Sequence, residues 1–162
     1  AKAFHDAGIQ GKVTSIDPNV DQQFCDSLTK VLPPQLFNYI ELCQGTSESV
    51  MPQFEQQTYD LIYIDGDHSY EGTKLDWELT KNKWNKFMLF DDYHLPTKND
   101  PGIQCSKLID EINWEEENSN EPELIFLDRR IFFDDRRIAD KDLDYGQVLF
   151  TKSSVTNSDL DW

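Results

Sequence analysis

The sequence predicts an α/β fold: an open, mostly parallel sheet with helices on both faces and an antiparallel hairpin at its C-terminal end. Two observations predict it. Strand-like and helix-like stretches alternate from the N-terminus to Trp114, the pattern of parallel strands joined by crossover helices. The last two strand-like runs, Leu124–Leu127 and Gln147–Thr151, have no helical pattern between them, which suits an antiparallel edge. A third observation locates a site. Three predicted strands end in acid, at Asp17, Asp65 and Asp91/Asp92. Ligands of open α/β sheets gather outside the carboxyl ends of the strands, where the strand order switches.

Ala1–Ala7 reads as a short helix ended by glycine, and Val13–Asp17 as a β-prone run before Pro18. Asp21–Val31 reads as a helix closed by Pro33 and Pro34. Leu36–Cys43 reads as a strand, Gly45–Glu48 as its turn, and Ser49–Gln57 as a short helix started by Ser47 or Ser49. Tyr59–Asp65 is the clearest strand. Its four consecutive apolar residues, Leu61–Ile64, predict burial on both faces. Gly66–Tyr70 is a loop. Glu71–Asn85 reads as a helix with Leu75, Leu79 and Trp84 inward, and Lys86–Asp92 as the next strand. A helix follows over Ile103–Trp114, and Trp77, Trp84 and Trp114 are assigned to the core. Arg129–Asp144 is a long charged connection. Residues 1–152 read as one domain and 153–162 as a polar, frayed tail.

With 162 residues the chain has room for one domain. Aromatic residues make up 12%, more than disordered chains carry. Its 31 acidic residues outnumber its 15 basic ones, for a net charge of −16. A field of that sign repels phosphate backbones and anionic lipid, so the expected partners include no nucleic acid and no membrane. Every apolar run is strand-sized, too short to span a bilayer. Cys25, Cys43 and Cys105 are odd in number and widely spaced, which argues against a disulfide framework or zinc site and fits a reducing, cytoplasmic compartment.

The acids suggest chemistry on their own. A carboxylate at the end of a switch-point strand can accept both hydroxyls of a ribose, the expectation for Asp17; the plainer reading is a turn-forming Asp before Pro18. If the strands before Asp65 and Asp91 are neighbours, their ends lie about 5 Å apart. Carboxylates so close repel, and a divalent cation resolves the repulsion. An all-oxygen set of Asp65, Asp91 and Asp92 favours a hard ion, Mg²⁺ or Ca²⁺. The plainer reading is solvated loop acids in a chain rich in them.

The run Ile64-Asp65-Gly66-Asp67-His68-Ser69-Tyr70-Glu71 resembles the class I S-adenosylmethionine (SAM) dependent methyltransferases. It is closest to a branch of metal-dependent O-methyltransferases with such a motif after the fourth strand. Val13–Pro18, Tyr39–Glu48, Phe90–Tyr93, Pro101–Ile103 and Gly146–Lys152 match further elements, so the resemblance covers roughly residues 1–152. It implies a Rossmann-like sheet, SAM as cofactor and a divalent cation, Mg²⁺ being expected. It assigns Asp17 to the ribose, Ser47 and Glu48 to the adenine loop, and Asp65 to both cofactor and metal. Asp91 and Asp92 join Asp65 as metal ligands. His68, three residues after Asp65, takes the place of the general base, with Asp67 as its competitor or its orienting partner. Tyr70, Tyr93 and His94 are placed around the acceptor. The implied acceptor is a small hydroxylated molecule, a sugar or other polyol, with a phenolic diol equally allowed; a homo-oligomer is also allowed.

Two rival readings stand beside this one: a metal-dependent hydrolase that uses the same acids but has no need of Asp17, and a degenerate, non-catalytic interaction module that has lost cofactor binding. One departure is large. The family's first strand and glycine-rich loop have no counterpart in the 162 residues. The chain therefore reads as a fragment of a longer product, with weak SAM binding by itself and a break in the sheet where that strand would sit.

Overall fold

The structure, a computed structural model, describes residues 1–94, 102–126 and 145–156. The chain divides into two units, Ala1–Gln56 and Gln57–Trp162.

In the first unit α1 (Lys2–Ala7) stops at Gly8, whose φ of 65° lies in the left-handed region that glycine enters without strain. Strand β1 (Val13–Asp17) pairs in parallel with β2 (Ile40–Gln44), from Val13 opposite Ile40 to Asp17 opposite Gln44. The crossover is α2 (Gln22–Val31), capped by Asp21, whose carboxylate accepts from the Phe24 N–H at 2.7 Å. The expected strand over 36–43 starts late. Pro34–Tyr39 is a 3₁₀ helix, and the strand begins only at Ile40. Proline at the first helical position presets φ, and the Leu36 N–H closes the first turn onto the Pro33 carbonyl. The next expected helix is also cut short. Only Ser47–Val50 (α3) is α-helical, capped by Thr46 rather than by Ser47 or Ser49, and Met51–Phe54 continues as 3₁₀. Pro52 has no N–H to carry the α-helical ladder on.

The second unit contains β3 (Tyr59–Ile64), α4 (Tyr70–Thr80), β4 (Trp84–His94), α5 (Cys105–Glu111), β5 (Glu123–Phe126) and β6 (Tyr145–Thr151). Its sheet has the order β3-β4-β6-β5. β3 and β4 are parallel, and β6 pairs antiparallel with both β4 and β5, the hairpin edge that the sequence predicts. The connection over 129–144 lies outside the described residues. Helix α4 ends at Thr80, so Trp84 opens β4 instead of closing the helix; the Tyr59 N–H bonds the Lys83 carbonyl and starts the pairing there. The buried face of α4 is Thr73, Trp77 and Thr80, at helical spacing, while Leu75 is exposed.

Met88 and Phe90 on β4 are wholly buried, with Ile64, Trp77, Leu108, Ile109, Val148 and Phe150 around them. The Phe90 ring lies 5.9 Å from Trp77 and 5.8 Å from Phe150, at the tilted and edge-on angles aromatic pairs prefer. Trp84 is buried with the Lys152 ammonium 3.7 Å over its ring, and Trp114 packs on the rim of the core. One expectation fails. β3 is not buried on both faces: Ile62 and Ile64 turn to the core, but Leu61 and Tyr63 are exposed. In its own sheet β3 is an edge strand, with one neighbour and one covered face. The start of the tail is tied down, the Ser153 N–H donating to the Asn118 carbonyl, and residues 157–162 lie outside the description. Among the described residues no helix is long and apolar enough to cross a membrane.

Candidate functional site

The site is built where β3 and β4 run out side by side. Ile64 pairs with Phe90, and the β4–β6 register then shifts between Phe90 and Tyr93. Asp91 and Asp92 occupy that irregularity, and Asp92 has a φ of 53°. A bulge of this kind re-aims side chains, and aspartate is among the few residues that tolerate such a φ. The two neighbouring acids part company. The Asp91 carboxylate accepts from the Tyr63 hydroxyl at 2.7 Å, and that hydroxyl accepts from the Gln147 amide at 3.2 Å. Asp92 instead meets His68, with Oδ2 2.7 Å from Nδ1.

His68 stands on a braced loop. The Asp67 carboxylate accepts from the Ser69 N–H at 2.9 Å, and Ser69 caps α4 by accepting from the Gly72 N–H at 3.0 Å. Gly72 has to be small, since a Cβ there would lie 2.5 Å from Asp67. The carbonyl of His68 accepts from the Gln104 N–H at 2.7 Å, and Cys105 adds a sulfur contact at 3.6 Å. The imidazole Nε2 is left 3.7 Å from Asp65 Oδ1. These groups line a hollow of about 200 Å³, its open mouth included, with Ile64, Gly66, Thr73 and Cys105 as the rest of its wall.

Partial burial raises the pKa of Asp65, the nearby Asp91 carboxylate raises it further, and His68 works against both. The hydrogen bond from the Ser69 backbone holds Asp67 below the usual carboxylate range. Burial, and then the hydrogen bond to Asp91, push the Tyr63 phenol up. Burial also raises the Cys105 thiol, which keeps it protonated and unreactive.

Of the residues expected at the site, Asp65, His68 and Asp92 come together, each offering one ligand atom within 4.8 Å of the other two. Asp91 stands beside them with its Oδ2 accepting from Tyr63, and the third member of the cluster is the His68 imidazole. Asp67 lines the hollow with its carboxylate held in the turn. The Tyr70 hydroxyl donates to Glu111 and the Tyr93 hydroxyl to Asp110, so both tyrosines reach α5 instead of the hollow. His94 ends β4, and its side chain lies outside the described residues. In the first unit Asp17 ends β1, and its Oδ1 accepts from the Asn19 N–H at 2.6 Å, the turn geometry of the plainer reading, with its other oxygen outside that bond. Ser47 and Glu48 form the first turn of α3, with Glu48 exposed. Sequence reasoning missed Tyr63, Gln147, Thr73 and Cys105. Strand alternation puts Tyr63 on the same face as Asp65 and could have found it; nothing local marks the other three.

The donors fit a divalent cation. The carboxylate oxygens of Asp65 and Asp92 suit a hard ion such as Mg²⁺ or Mn²⁺, with the His68 imidazole beside them.

A methyltransferase domain family matches residues 1–93, more than half of the chain, and the chain belongs to that family. Several solved structures share its fold. The cofactor-bound Rv0187 from MTB superposes with a TM-score of 0.63 at 15% identity, over 90% of this chain and 63% of that one. The O-methyltransferase from Bacillus cereus in complex with SAH gives 0.61 at 16% identity, over 90% and 66%. The O-methyltransferase TomG from Streptomyces achromogenes, involved in tomaymycin synthesis and in complex with SAM, gives 0.60 at 11%, over 94% and 68%. The chain thus spans just under two thirds of the length of the first two. No curated protein sequence matches it.

Proposed function

We propose that this chain carries the acceptor side of a SAM-dependent O-methyl transfer site, acting on a small hydroxylated molecule such as a sugar or other polyol. The observation that carries the reading is the Asp65–His68–Asp92 cluster at the carboxyl ends of β3 and β4, in a member of a methyltransferase family. Two of the solved structures with this fold are O-methyltransferases described with SAM or SAH, which supports oxygen as the acceptor atom. Family membership also favours methyl transfer over the hydrolase and the non-catalytic module.

SAM, when bound, supplies a methyl group on a positively charged sulfur. His68 Nε2 faces the hollow and takes the proton that the acceptor hydroxyl loses. With SAM bound, transfer of its methyl group to that oxygen would leave the sulfur as a neutral thioether. Asp67 is the poorer base, since its low pKa leaves it little affinity for the proton. Asp17 is assigned to the ribose through its second oxygen, and Ser47 and Glu48 to the adenine. Asp65 and Asp92, joined by Asp91 through the oxygen that does not accept from Tyr63, would hold a divalent cation, which would supply Lewis acidity toward the acceptor oxygen. A cation is also the group that would relieve the repulsion between Asp65 and Asp91.

The test uses the full-length protein with SAM labelled on its methyl group and a panel of polyols and phenolic diols. Label is expected in at least one acceptor, to disappear in excess chelator, and to return with added Mg²⁺ or Mn²⁺. Label transfer unchanged by chelator removes the cation from the reading. No transfer to any hydroxylated acceptor removes the activity.

A further inference from the structure

We propose that Lys74 and Lys107, gathered over the ring of Tyr70 beside the hollow, form a subsite for an anionic group of the acceptor, a carboxylate or a phosphate. The small hydroxylated molecule methylated here is then an acid. Its role as methyl acceptor rests on the reading above; the anion site stands on its own observations.

Tyr70 opens α4, two residues after His68. The Lys107 ammonium, from α5, lies 4.3 Å from the centroid of its ring, and that of Lys74, from α4, lies 5.5 Å from it. Both are within cation–π reach. Each lysine has an acid at a spacing that helices favour for an ion pair, Glu71 three residues before Lys74 and Glu111 four residues after Lys107. Neither pair forms. Glu111 accepts from the Tyr70 hydroxyl at 2.6 Å instead, and among the described residues no carboxylate pairs with either ammonium. Two positive charges are thus brought to one ring and left there, in a chain whose 31 acidic residues outnumber its 15 basic ones. Side chains that forgo the local pairing open to them mark a site. The ring is half-buried, and both lysines are exposed to an incoming ligand.

Their place in the fold ties them to the hollow. His68, Thr73 and Cys105 line it, and Tyr70, Lys74 and Lys107 each stand one or two residues further along the same segments. The Gln104 N–H on the His68 carbonyl fastens the start of α5 to the loop. Two residues span at most about 7 Å, so a polyol with one hydroxyl at His68 has its far end within reach of the lysines. The net charge of the protein repels an anion, but salt screens that field beyond about 8 Å at physiological ionic strength. Ammonium groups in contact with the ligand are screened far less. An acidic acceptor therefore needs such a local pair of cations, and a neutral one gains nothing from it.

The test is NMR of the full-length protein labelled on its lysine side chains, the two signals being assigned by their loss in Lys74→Gln and Lys107→Gln. The probes are gluconate for a carboxylate, glucose 6-phosphate for a phosphate and glucose as the neutral control, at constant ionic strength. Saturable shifts of both signals are expected with one or both acids and not with glucose, and the acid that produces them names the group. No saturable shift with either acid overturns the proposal. Turnover gives a second readout. Lys107→Gln should lower the ratio of kcat/KM for the acidic over the neutral acceptor by about 3–10-fold, through KM, and Lys107→Arg should restore it. Equal losses for the two acceptors overturn the subsite, since they report a structural role for Lys107. The shifts are read without SAM, so the two readings fail separately. Saturable shifts with no methyl transfer to any acceptor keep the anion site and remove the activity, whereas transfer to glucose with unmoved lysine signals keeps the activity and removes the site.

Discussion

In the second unit, Met88 and Phe90 lose all contact with solvent, and eight further residues from β3, α4, β4, α5 and β6 close around them. In the first unit neither α1 nor α2 has a buried residue, and Val31 is 74% exposed. The first has a two-stranded parallel pair, the second four strands with two helices against them. Two strands alone are marginal in water, whereas three or more with a packed face hold together. The chemistry follows the packing. Asp65 follows β3, Asp92 lies in β4 and His68 stands on the braced loop after β3, so all three are placed by the well-packed sheet. Asp17 stands on the weaker pair and is already engaged in a local turn.

Replacing one group in the second unit tests this hardest. His68→Ala is expected to lower turnover by about 10²–10⁴-fold, the usual worth of a general base, while SAM affinity stays near wild type. Asp67→Asn should cost far less. If the two variants lose equally, Asp67 is the base and the braced loop has been misread. Asp17→Ala should do the opposite of His68→Ala, weakening SAM binding more than it slows the bound complex. Equilibrium titration of SAM beside single-turnover rates separates the two patterns.

The contrast in packing makes its own prediction. Phe90→Ala should destabilise the second unit by about 3–5 kcal/mol, the cost of a large cavity in a closed core. Phe24→Ala, at 44% exposure on α2, should cost within about 0.5 kcal/mol. Urea unfolding of the two variants under identical conditions decides this, and comparable losses would erase the distinction between the units.

The sequence made the second unit readable because its signals are local and strong. Tyr59–Ile64 has strand composition, Ser69 precedes a helix as a cap, and acids follow two strands. It misread 36–39 because apolar residues at 36, 37 and 39–40 fit a strand or a 3₁₀ turn equally, and the proline before them decides. Burial of Leu61 and Tyr63 was over-read because an apolar run does not say how many neighbours its strand has. The acid cluster was found from strand ends, but which oxygen meets which partner depends on a bulge in β4 that no local pattern announces. His68 joined the site through the family resemblance, and its pairing with Asp92 appears only once β3 and β4 lie side by side.

Two glycines give a finer comparison. Alanine in place of glycine usually stabilises a helix interior by up to about 1 kcal/mol. Gly72→Ala should reverse that sign, destabilising by about 1–3 kcal/mol, because its Cβ would collide with Asp67 under the first turn of α4. Gly8→Ala in the first unit meets no atom and is expected to cost about 1 kcal/mol from its left-handed φ alone. Thermal unfolding ranks the two, and an equal or larger loss at Gly8 would mean that the His68 loop is less tightly braced than its hydrogen bonds imply.

The smallest effect concerns how α5 is fastened to β4. The Tyr93 hydroxyl donates to Asp110 at 3.0 Å, and partial burial together with that acceptor pushes its pKa up to about 12 from an ordinary 10. Ionising the phenol would lose the bond and set two negative charges face to face. Since the folded value lies above the unfolded one, the contribution is fully present below about pH 10 and is lost as pH rises from there toward about 12. The bond itself is exposed to solvent, so screening keeps the effect modest. Tyr93→Phe removes both the bond and its titration. Urea midpoints measured from neutral pH to about pH 11 should therefore fall more steeply for wild type than for the variant, the two curves converging at the alkaline end. Parallel curves would mean that Tyr93 titrates as freely in the folded chain as in the unfolded one, and that α5 is held to the sheet by its apolar face, Leu108 and Ile109, without help from the hydrogen bond.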